Sequence, residues 1–423
     1  MYHKKRNCSG TTSNDFSIEK NTYSTTYRMM KKISSIYLDH AAATPVDPAV
    51  FSVMKPFFTE EYANPSGLYA SSIHAKLAIE ISRKKIADFL HTTPDTIIFT
   101  HGGTHSINQA ILGLARAYRE KGKHIITTPI EHHAVLHVMK QLQKEGFEIT
   151  YLPVDAYGFV TVDAIKEAIR PETIVVSVMY ANNEIGTIEP IADIGKMILQ
   201  HRKKQKTLFP FFHTDACQAA GYLDMSVERL HVDLLSFNGS KIYGPKSAGV
   251  LFKRRSVEIE PIMFGGGQEF GISPGTEDVA GIVGFGKAVT LINNKQVTIN
   301  ERISELRDML WKGIQNTISD VSLNGPALDS DRLLNNLDIS FLGAESEAII
   351  LYLDAVGIAV SSGSACTTDS DELSHVLTAC GYDEKRMKSS IRFTLGKDTT
   401  EKEIKQVLKV LPGVIQKVRA MNA

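Results

Sequence analysis

The chain reads as an α/β protein: a large domain on a mostly parallel sheet flanked by helices, followed by a smaller α+β domain at the C-terminal end. Three observations predict this. Its 423 residues exceed what one compact core usually holds. Between Ile97 and Phe237, short runs rich in Ile, Val and Phe alternate with segments of helical spacing, which is the pattern of right-handed strand–helix–strand crossovers. Beyond residue 296 the order changes to a long helical pattern and then strands and helices without regular alternation.

The elements follow in order. Residues 1–35 are rich in Ser, Thr, Asn and Lys and poor in large aliphatics, so they read as a disordered or mis-started extension with Met29 or Met30 as alternative starts. They lack the apolar stretch of a secretory signal, and only a transit-peptide role would redirect the chain from the cytoplasm to an organelle matrix. Ile36–His40 is a short strand, and Ala41-Ala42-Ala43-Thr44-Pro45 turns it toward a helix; residues 36–49 are expected to join the small domain. Asn64-Pro65-Ser66-Gly67 is a loop, and residues 72–90 carry apolar positions at helical spacing. Strands are expected at 97–100, 124–127, 148–153, 173–179, 208–215 and 232–237, with helices after 104 and at 133–145, 162–168 and 191–201. These fill a large domain over 50–295, which ends in a glycine-rich excursion containing Gly265-Gly266-Gly267 and Ser273-Pro274-Gly275-Thr276. The small domain, 296–423, opens with a helix over about 296–318 and continues with strands at 336–341, 358–360 and 390–393, a helix at 346–356 and a last helix at 401–420.

Composition narrows the function. Lys+Arg and Asp+Glu balance at 47 each, so there is no electrostatic footprint for nucleic acid. No apolar run reaches the ~18 residues of a membrane span. Cys8, Cys217, Cys366 and Cys380 are few and widely spaced, with neither a disulfide framework nor intrinsic metal-ligand spacing, which suits a reducing compartment.

In an open parallel sheet, ligands bind at the carboxyl ends of the strands. Thr104, His132, Asn183, Asp215 and Lys241 all fall there. Lys241 follows the apolar run ending at Phe237 and the polar turn Asn238-Gly239-Ser240, a setting that suits a Schiff-base lysine. Pyridoxal 5'-phosphate would need the rest of the set. Its phosphate wants a helix N-terminus, as Gly103-Thr104 would supply, and its ring nitrogen wants a carboxylate such as Asp215. Its ring face wants a flat partner such as His132. A substrate carboxylate wants a planar cation, and Arg392 alternates with apolar residues on a strand. Ser361-Ser362-Gly363-Ser364-Ala365-Cys366-Thr367-Thr368 is too small and polar to pack a core, so Cys366 reads as exposed and reactive.

The chain resembles the cysteine desulfurases of the iron–sulfur-cluster-assembly type, within the class V aminotransferase group of fold type I pyridoxal phosphate enzymes. The resemblance covers about residues 36–420. It rests on Tyr37–Pro45, Asn182-Asn183-Glu184-Ile185-Gly186, Ser236–Lys246, Ser361–Thr367 and Ser390-Ile391-Arg392-Phe393. It implies that Lys241 carries the cofactor, Asp215 pairs with the ring nitrogen, Gln218 bonds the phenolic oxygen and His132 stacks on the ring. Asn183 would lie near ring and substrate. Gly103, Thr104, Asn238 and Ser240 would surround the phosphate, with Thr276 reaching in from the second subunit of a homodimer. Asn64 and Arg392 would hold the carboxylate of L-cysteine, and Cys366 would take the sulfur as a persulfide and pass it to an iron–sulfur scaffold or a tRNA-thiolation protein. Cys366 would touch metal only as a ligand to a cluster in transfer. The chain departs from the usual family residues at His105, Asn238, Ser240 and Ser273, where glutamate, serine, histidine and arginine are common. Two rivals stay open at this stage: a related pyridoxal phosphate enzyme, such as a selenocysteine lyase or an aminotransferase, and a non-catalytic partner-binding scaffold. An aminotransferase has no use for Cys366, and a scaffold has none for Lys241.

Overall fold

The computed structural model describes residues 36–363 and 373–421. Seven strands form the main sheet in the order β2-β8-β7-β6-β5-β3-β4. They are β2 (Ile97–Thr100), β3 (His124–Thr127), β4 (Glu148–Tyr151), β5 (Thr173–Ser177), β6 (Phe211–Asp215), β7 (Leu234–Asn238) and β8 (Gly249–Lys253). Only β8 runs against its neighbours, β2 and β7. Six of the seven are buried along their whole length or all but the last residue, as expected for a sheet covered on both faces. The edge strand β4 is the partly exposed exception.

The sequence pattern leaves β8 unassigned. It follows Lys246-Ser247, and no crossover helix separates its five residues from β7. The structure inserts it antiparallel between β2 and β7, so β2 ends on the same edge as β7. Every parallel strand therefore delivers its carboxyl end to one rim.

Helices cover the two faces: α1 (Pro48–Met54), α2 (Ala70–Phe89), α3 (Gly103–Ala117), α4 (His133–Lys144), α5 (Val162–Ala168) and α6 (Ile191–Gln205). The next, α7 (Val279–Thr317), is 39 residues long and starts well before the expected 296. Gly281, Gly284 and Gly286 lower helix propensity there, which hides the first half from a sequence reading. Packing explains two of them: a Cβ on Gly284 would lie 2.5 Å from Met54 Sδ, and one on Gly286 2.9 Å from Ser82 Cβ. These glycines let α7 lie close on α1 and α2.

The second half of α7 packs on the C-terminal part. There β9 (Val321–Leu323), β10 (Asn336–Phe341) and β12 (Ser390–Thr394) form an antiparallel sheet in the order β12-β10-β9. α8 (Ser346–Asp354), α9 (His375–Ala379) and α10 (Glu401–Met421) accompany it. A separate two-stranded sheet pairs β1 (Ile36–Tyr37) in parallel with β11 (Ile358–Ala359). Leu38 is buried in the C-terminal core with Ile303, Leu337 and Phe393, whereas Val50 belongs to the core of the main sheet. The segment between them crosses from one core to the other: Thr44 Oγ1 donates to Ser240 O at 3.0 Å and accepts from Tyr243 N at 2.7 Å. Among the described residues no helix is long and apolar enough to cross a membrane.

Candidate active site

The rim of the main sheet gathers the polar residues that its strands end in. β7 closes with Asn238, and a single 3-10 turn, Gly239–Lys241, follows. That turn places the Lys241 amine against the crossing segment, where Nζ donates to Ala41 O and Ala42 O, both at 2.6 Å. Gln218 Nε2 donates to the same Ala41 carbonyl at 3.0 Å, so Gln218 and Lys241 meet at one oxygen.

β6 ends in Asp215, 5% exposed, whose Oδ1 accepts from Cys217 N at 2.9 Å. Two residues earlier His213 lies wholly inside the sheet, between Ser177 Oγ at 2.9 Å and Ser236 Oγ at 3.0 Å. Burial pushes its pKa down to about 3, so this neutral ring is a cross-strand strut holding β5, β6 and β7 in register beneath the rim.

His132 caps α4, its Nδ1 accepting from Ala134 N at 3.1 Å. Burial lowers its pKa, with the Lys241, His133 and His375 charges lowering it further and Asp215 opposing. The ring is held neutral beside Asp215 and Lys241, a state suited to stacking. Cys217 lies in the same electrostatic field. Burial and the Asp215 carboxylate raise its thiol pKa well above the ordinary value, which leaves it an inert lining group rather than a nucleophile.

At the adjacent strand end, Gly102 takes φ +110°, a conformation that favours glycine, and α3 starts with no side-chain cap on its first-turn amides. Gly103 faces Asn238 and Cys217; a Cβ there would lie 2.8 Å from Asn238 Nδ2 and 2.8 Å from Cys217 Sγ. Thr104 is exposed in this first turn. Ser240 Oγ donates to Asn238 Oδ1 at 3.3 Å. His105 Nδ1 accepts from His101 N at 3.2 Å, and its Nε2 is buried without a partner among the described residues. Uncapped helix amides, a glycine cradle and two small polar side chains make an anion seat.

The donor set fits pyridoxal phosphate: an amine on Lys241, a buried carboxylate on Asp215, a neutral ring on His132 and the uncapped amides at Gly103-Thr104. The first-turn cradle has no room for a larger residue at 103.

Arg392, on β12, is 3% exposed and reaches this rim from the C-terminal side. Its Nη1 donates to Asn183 O at 2.9 Å and its Nη2 to Asp39 Oδ1 at 2.9 Å, while Nε is buried with no partner among the described residues. Asn183 therefore enters through its backbone carbonyl. Its neighbour Asn182 shapes the turn by accepting from Glu184 N and Ile185 N.

Two expected residues stand apart from this group. Asn64 is exposed, with Oδ1 accepting from Ser66 N at 2.9 Å, and no contact among the described residues joins it to Arg392. Thr276 is exposed and lines a small cavity with Thr100, His101 and Ser247. Cys366 lies outside the described residues.

Several participants escape a sequence reading. The carbonyls of Ala41 and Ala42 are invisible as chemistry in a string of alanines. Glu131, buried just before His132, accepts from Met179 N at 2.7 Å; burial raises its carboxyl well above the usual range, and its second oxygen has no partner among the described residues. Glu184 is buried too, with a pKa raised by that burial to about 7.

A profile of the aminotransferase class-V family matches residues 36–407. The chain belongs to that family. It is 47% identical over 387 residues to the cysteine desulfurase IscS of Clostridium botulinum strain Kyoto, covering 92% of this chain and 96% of that one. It is 45% identical over 388 residues to the cysteine desulfurase IscS of Methanosarcina thermophila, covering 92% and 94%. Among solved structures, a NifS-like protein superposes with a TM-score of 0.84 at 35% identity, covering 90% of this chain and all of that one. SspA in complex with cysteine superposes with a TM-score of 0.74 at 35% identity, covering 86% and 99%. Membership carries with it the fold type I architecture and pyridoxal phosphate dependence.

Proposed function

We infer that the protein is a pyridoxal-phosphate-dependent cysteine desulfurase that converts L-cysteine to L-alanine and takes up the sulfur. The carrying observation is the convergence of Lys241, Asp215 and His132 at one rim, in a chain nearly half identical along its length to cysteine desulfurases. When bound, the cofactor supplies an electron sink for the pair released at the substrate Cα. The chain's residues do the rest. Gly103, Thr104, Asn238 and Ser240 would seat the phosphate. Asp215 would pair with the ring nitrogen, Gln218 would bond the phenolic oxygen, and His132 would cover one ring face. Lys241 would carry the cofactor through its amine, and the same amine would move the proton at the substrate Cα. Arg392 binds the substrate carboxylate with its buried Nε donor, beside Asn183; Asn64 joins it only if its loop moves. The Cys366 thiolate would attack the substrate sulfur; the new S–S bond forms as the Cβ–S bond breaks, its electron pair leaves with Cβ, which takes up a proton to become the methyl of alanine, and the sulfur stays on Cys366 as a persulfide.

The persulfide serves a sulfur-acceptor protein, an iron–sulfur scaffold or a tRNA-thiolation protein, in a reducing compartment such as the cytoplasm. The working unit is a homodimer. From Tyr69, which precedes α2, and along the helix through Ile73, Leu77 and Ile81, an apolar side chain recurs every four residues and each is more than half exposed, and Phe264 and Phe270 project from the glycine-rich excursion. Such a face suits a second copy, whose Thr276 would then complete the phosphate seat.

The test is an absorption spectrum before and after L-cysteine, with alanine and sulfide assayed under a reductant. The expected result is a cofactor band that shifts on cysteine addition while both products appear. A band with neither product would replace this reading with another class-V reaction.

A further inference from the structure

The segment that carries Cys366 leaves the described structure at Gly363 and returns at Leu373. Both stems meet one side chain. Ser374 Oγ donates to Glu184 Oε2 at 2.5 Å, on the return side. On the departing side, a Cβ on Gly363 would collide with the same Oε2 and lie 2.9 Å from Glu184 Cδ, so the glycine backbone rests directly on the carboxylate. Glu184 is 3% exposed and cannot swing away into solvent.

Glu184 is itself fixed from both parts of the chain. Its amide donates to Asn182 Oδ1 at 2.8 Å, and its carbonyl accepts from Asn336 Nδ2 at 2.8 Å. The preceding residue's carbonyl accepts from Arg392 Nη1. The departing stem is laddered to the same arginine: Arg392 N donates to Ser361 O at 2.7 Å, and Ser361 N donates to Arg392 O at 3.3 Å. The return stem has a second tether, His375 Nε2 to Glu131 O at 2.9 Å, next to His132. Thus the turn that touches Arg392 also sets where the Cys366 segment begins and ends.

We propose that Glu184 is a positioning residue for sulfur transfer: its carboxylate bears on Gly363 and accepts from Ser374 and so fixes the two stems of the segment that carries Cys366. Burying a carboxylate is otherwise unmotivated here, since Glu184 makes no ion pair among the described residues and Arg392 directs its terminal donors to Asn183 and Asp39. The charged groups that bear on it are Arg392, which favours its ionised form, and Asp338, which opposes it. The inference rests on the desulfurase reading above, but one of its readouts does not.

The experiment compares Glu184→Ala, Glu184→Gln and Ser374→Ala with wild type as the cofactor-loaded full chain. Three quantities are read: the spectral shift on adding L-cysteine, the rate at which the Cys366 persulfide appears in one turnover by mass spectrometry, and amide exchange over 361–363 and 374–379. In Glu184→Ala the spectral shift stays normal, the persulfide rate falls at least about tenfold and exchange at both stems rises. Glu184→Gln, whose amide oxygen still accepts from Ser374, stays within about threefold of wild type. Ser374→Ala repeats the loss from the other side. Wild-type persulfide rates in both alanine variants overturn the proposal, as does a substrate spectral shift lost in parallel. If the wild type forms no persulfide at all, the desulfurase reading fails, and exchange decides the clasp alone: unchanged protection at both stems in Glu184→Ala refutes it.

Discussion

Arg392 and Asp39 stand 353 positions apart in the chain and 2.9 Å apart in the fold. Asp39 belongs to the N-terminal crossing segment, and its neighbour His40 N donates to Thr394 O on the strand that carries Arg392. The pair orients a buried guanidinium whose Nε has no partner among the described residues. Lysine cannot reproduce two fixed contacts and a third directed donor. Arg392→Lys should raise KM for L-cysteine by about 10- to 100-fold with a smaller effect on kcat, as expected for lost carboxylate binding. Steady-state kinetics over a wide cysteine range checks this. An unchanged KM would remove Arg392 from the substrate site.

Lys241 rests on Ala41 O and Ala42 O, and it shares the first of these acceptors with Gln218. Lys241→Ala should leave the fold intact, since these carbonyls belong to an irregular segment that Thr44 also ties to Ser240 and Tyr243. Alanine production should fall to background while cofactor still binds non-covalently in the seat at Gly103-Thr104. Borohydride treatment followed by mass spectrometry reads covalent attachment, which should be present in wild type and absent in the variant.

Cys366→Ser tests the sulfur step alone. Hydroxyl oxygen is a poor nucleophile at neutral pH, so the variant should bind L-cysteine with a normal spectral shift and lose sulfide and alanine formation by more than about a hundredfold. Full-rate turnover would assign the sulfur step to another group. Cys217 and Cys380 are poor replacements, because burial raises both thiols, Cys380 to about 12.

The stability of the folded chain should fall as the solution becomes basic. Glu189 is almost wholly buried; Val160 N donates to one oxygen at 3.1 Å and the other has no partner among the described residues. Burial pushes its pKa up to about 8, against 4.5 for an ordinary glutamate. The folded chain therefore holds a proton that the unfolded chain releases between these values. The contribution is full below the unfolded pKa and is lost as pH rises through the folded one. The urea midpoint should drop between about pH 4.5 and about pH 8, and Glu189→Gln should flatten that slope. A slope unchanged by the variant would place the dependence on other groups.

Much of this site could be read from the residues in order. Strand ends at Asp215 and Lys241 follow apolar runs, and the glycine pair before Thr104 marks a helix start, because local chemistry and period alone set them. Glu184, Ser374 and the Ala41 carbonyl could not be read that way. Their importance comes from burial and from partners 190 and 177 positions away. Strand β8 was hidden because an antiparallel insertion leaves no crossover helix to announce it. The first half of α7 was hidden because its glycines answer to close packing rather than to propensity.

The glycine-rich excursion is anchored by one buried ion pair. Arg83 Nη2 lies 2.6 Å from Glu269 Oε1, and both side chains are 5% exposed. Glu269 Oε2 also accepts from Arg83 Nη1 at 2.8 Å and from Phe99 N at 2.7 Å, tying the excursion to β2. Glu269 and Phe270 both take left-handed backbone, φ 48° and 61°, which costs energy in non-glycine residues. The ion pair holds that conformation and, with it, the exposed Phe270 ring that Arg83 faces at 5.5 Å. Removing Glu269 leaves the buried Arg83 only the half-exposed Glu80 carboxylate at 3.2 Å and the Ile97 carbonyl at 2.8 Å as partners, so the cost lies below the about 3–5 kcal/mol of a fully unpaired buried charge. Glu269→Ala should therefore lower the urea midpoint strongly, and it should also release the backbone strain and displace Phe270 and Thr276 from the face proposed for the second copy. If the proposed dimer forms, sedimentation should show the variant dissociating at concentrations where the wild type stays associated. Arg83→Met with Glu269→Leu separates the two effects: apolar replacement of both partners should recover much of the stability without the ties to Phe99 N, so the urea midpoint rises again while dimerisation stays weak. A double variant that dimerises like wild type would show that the excursion's conformation does not depend on this pair.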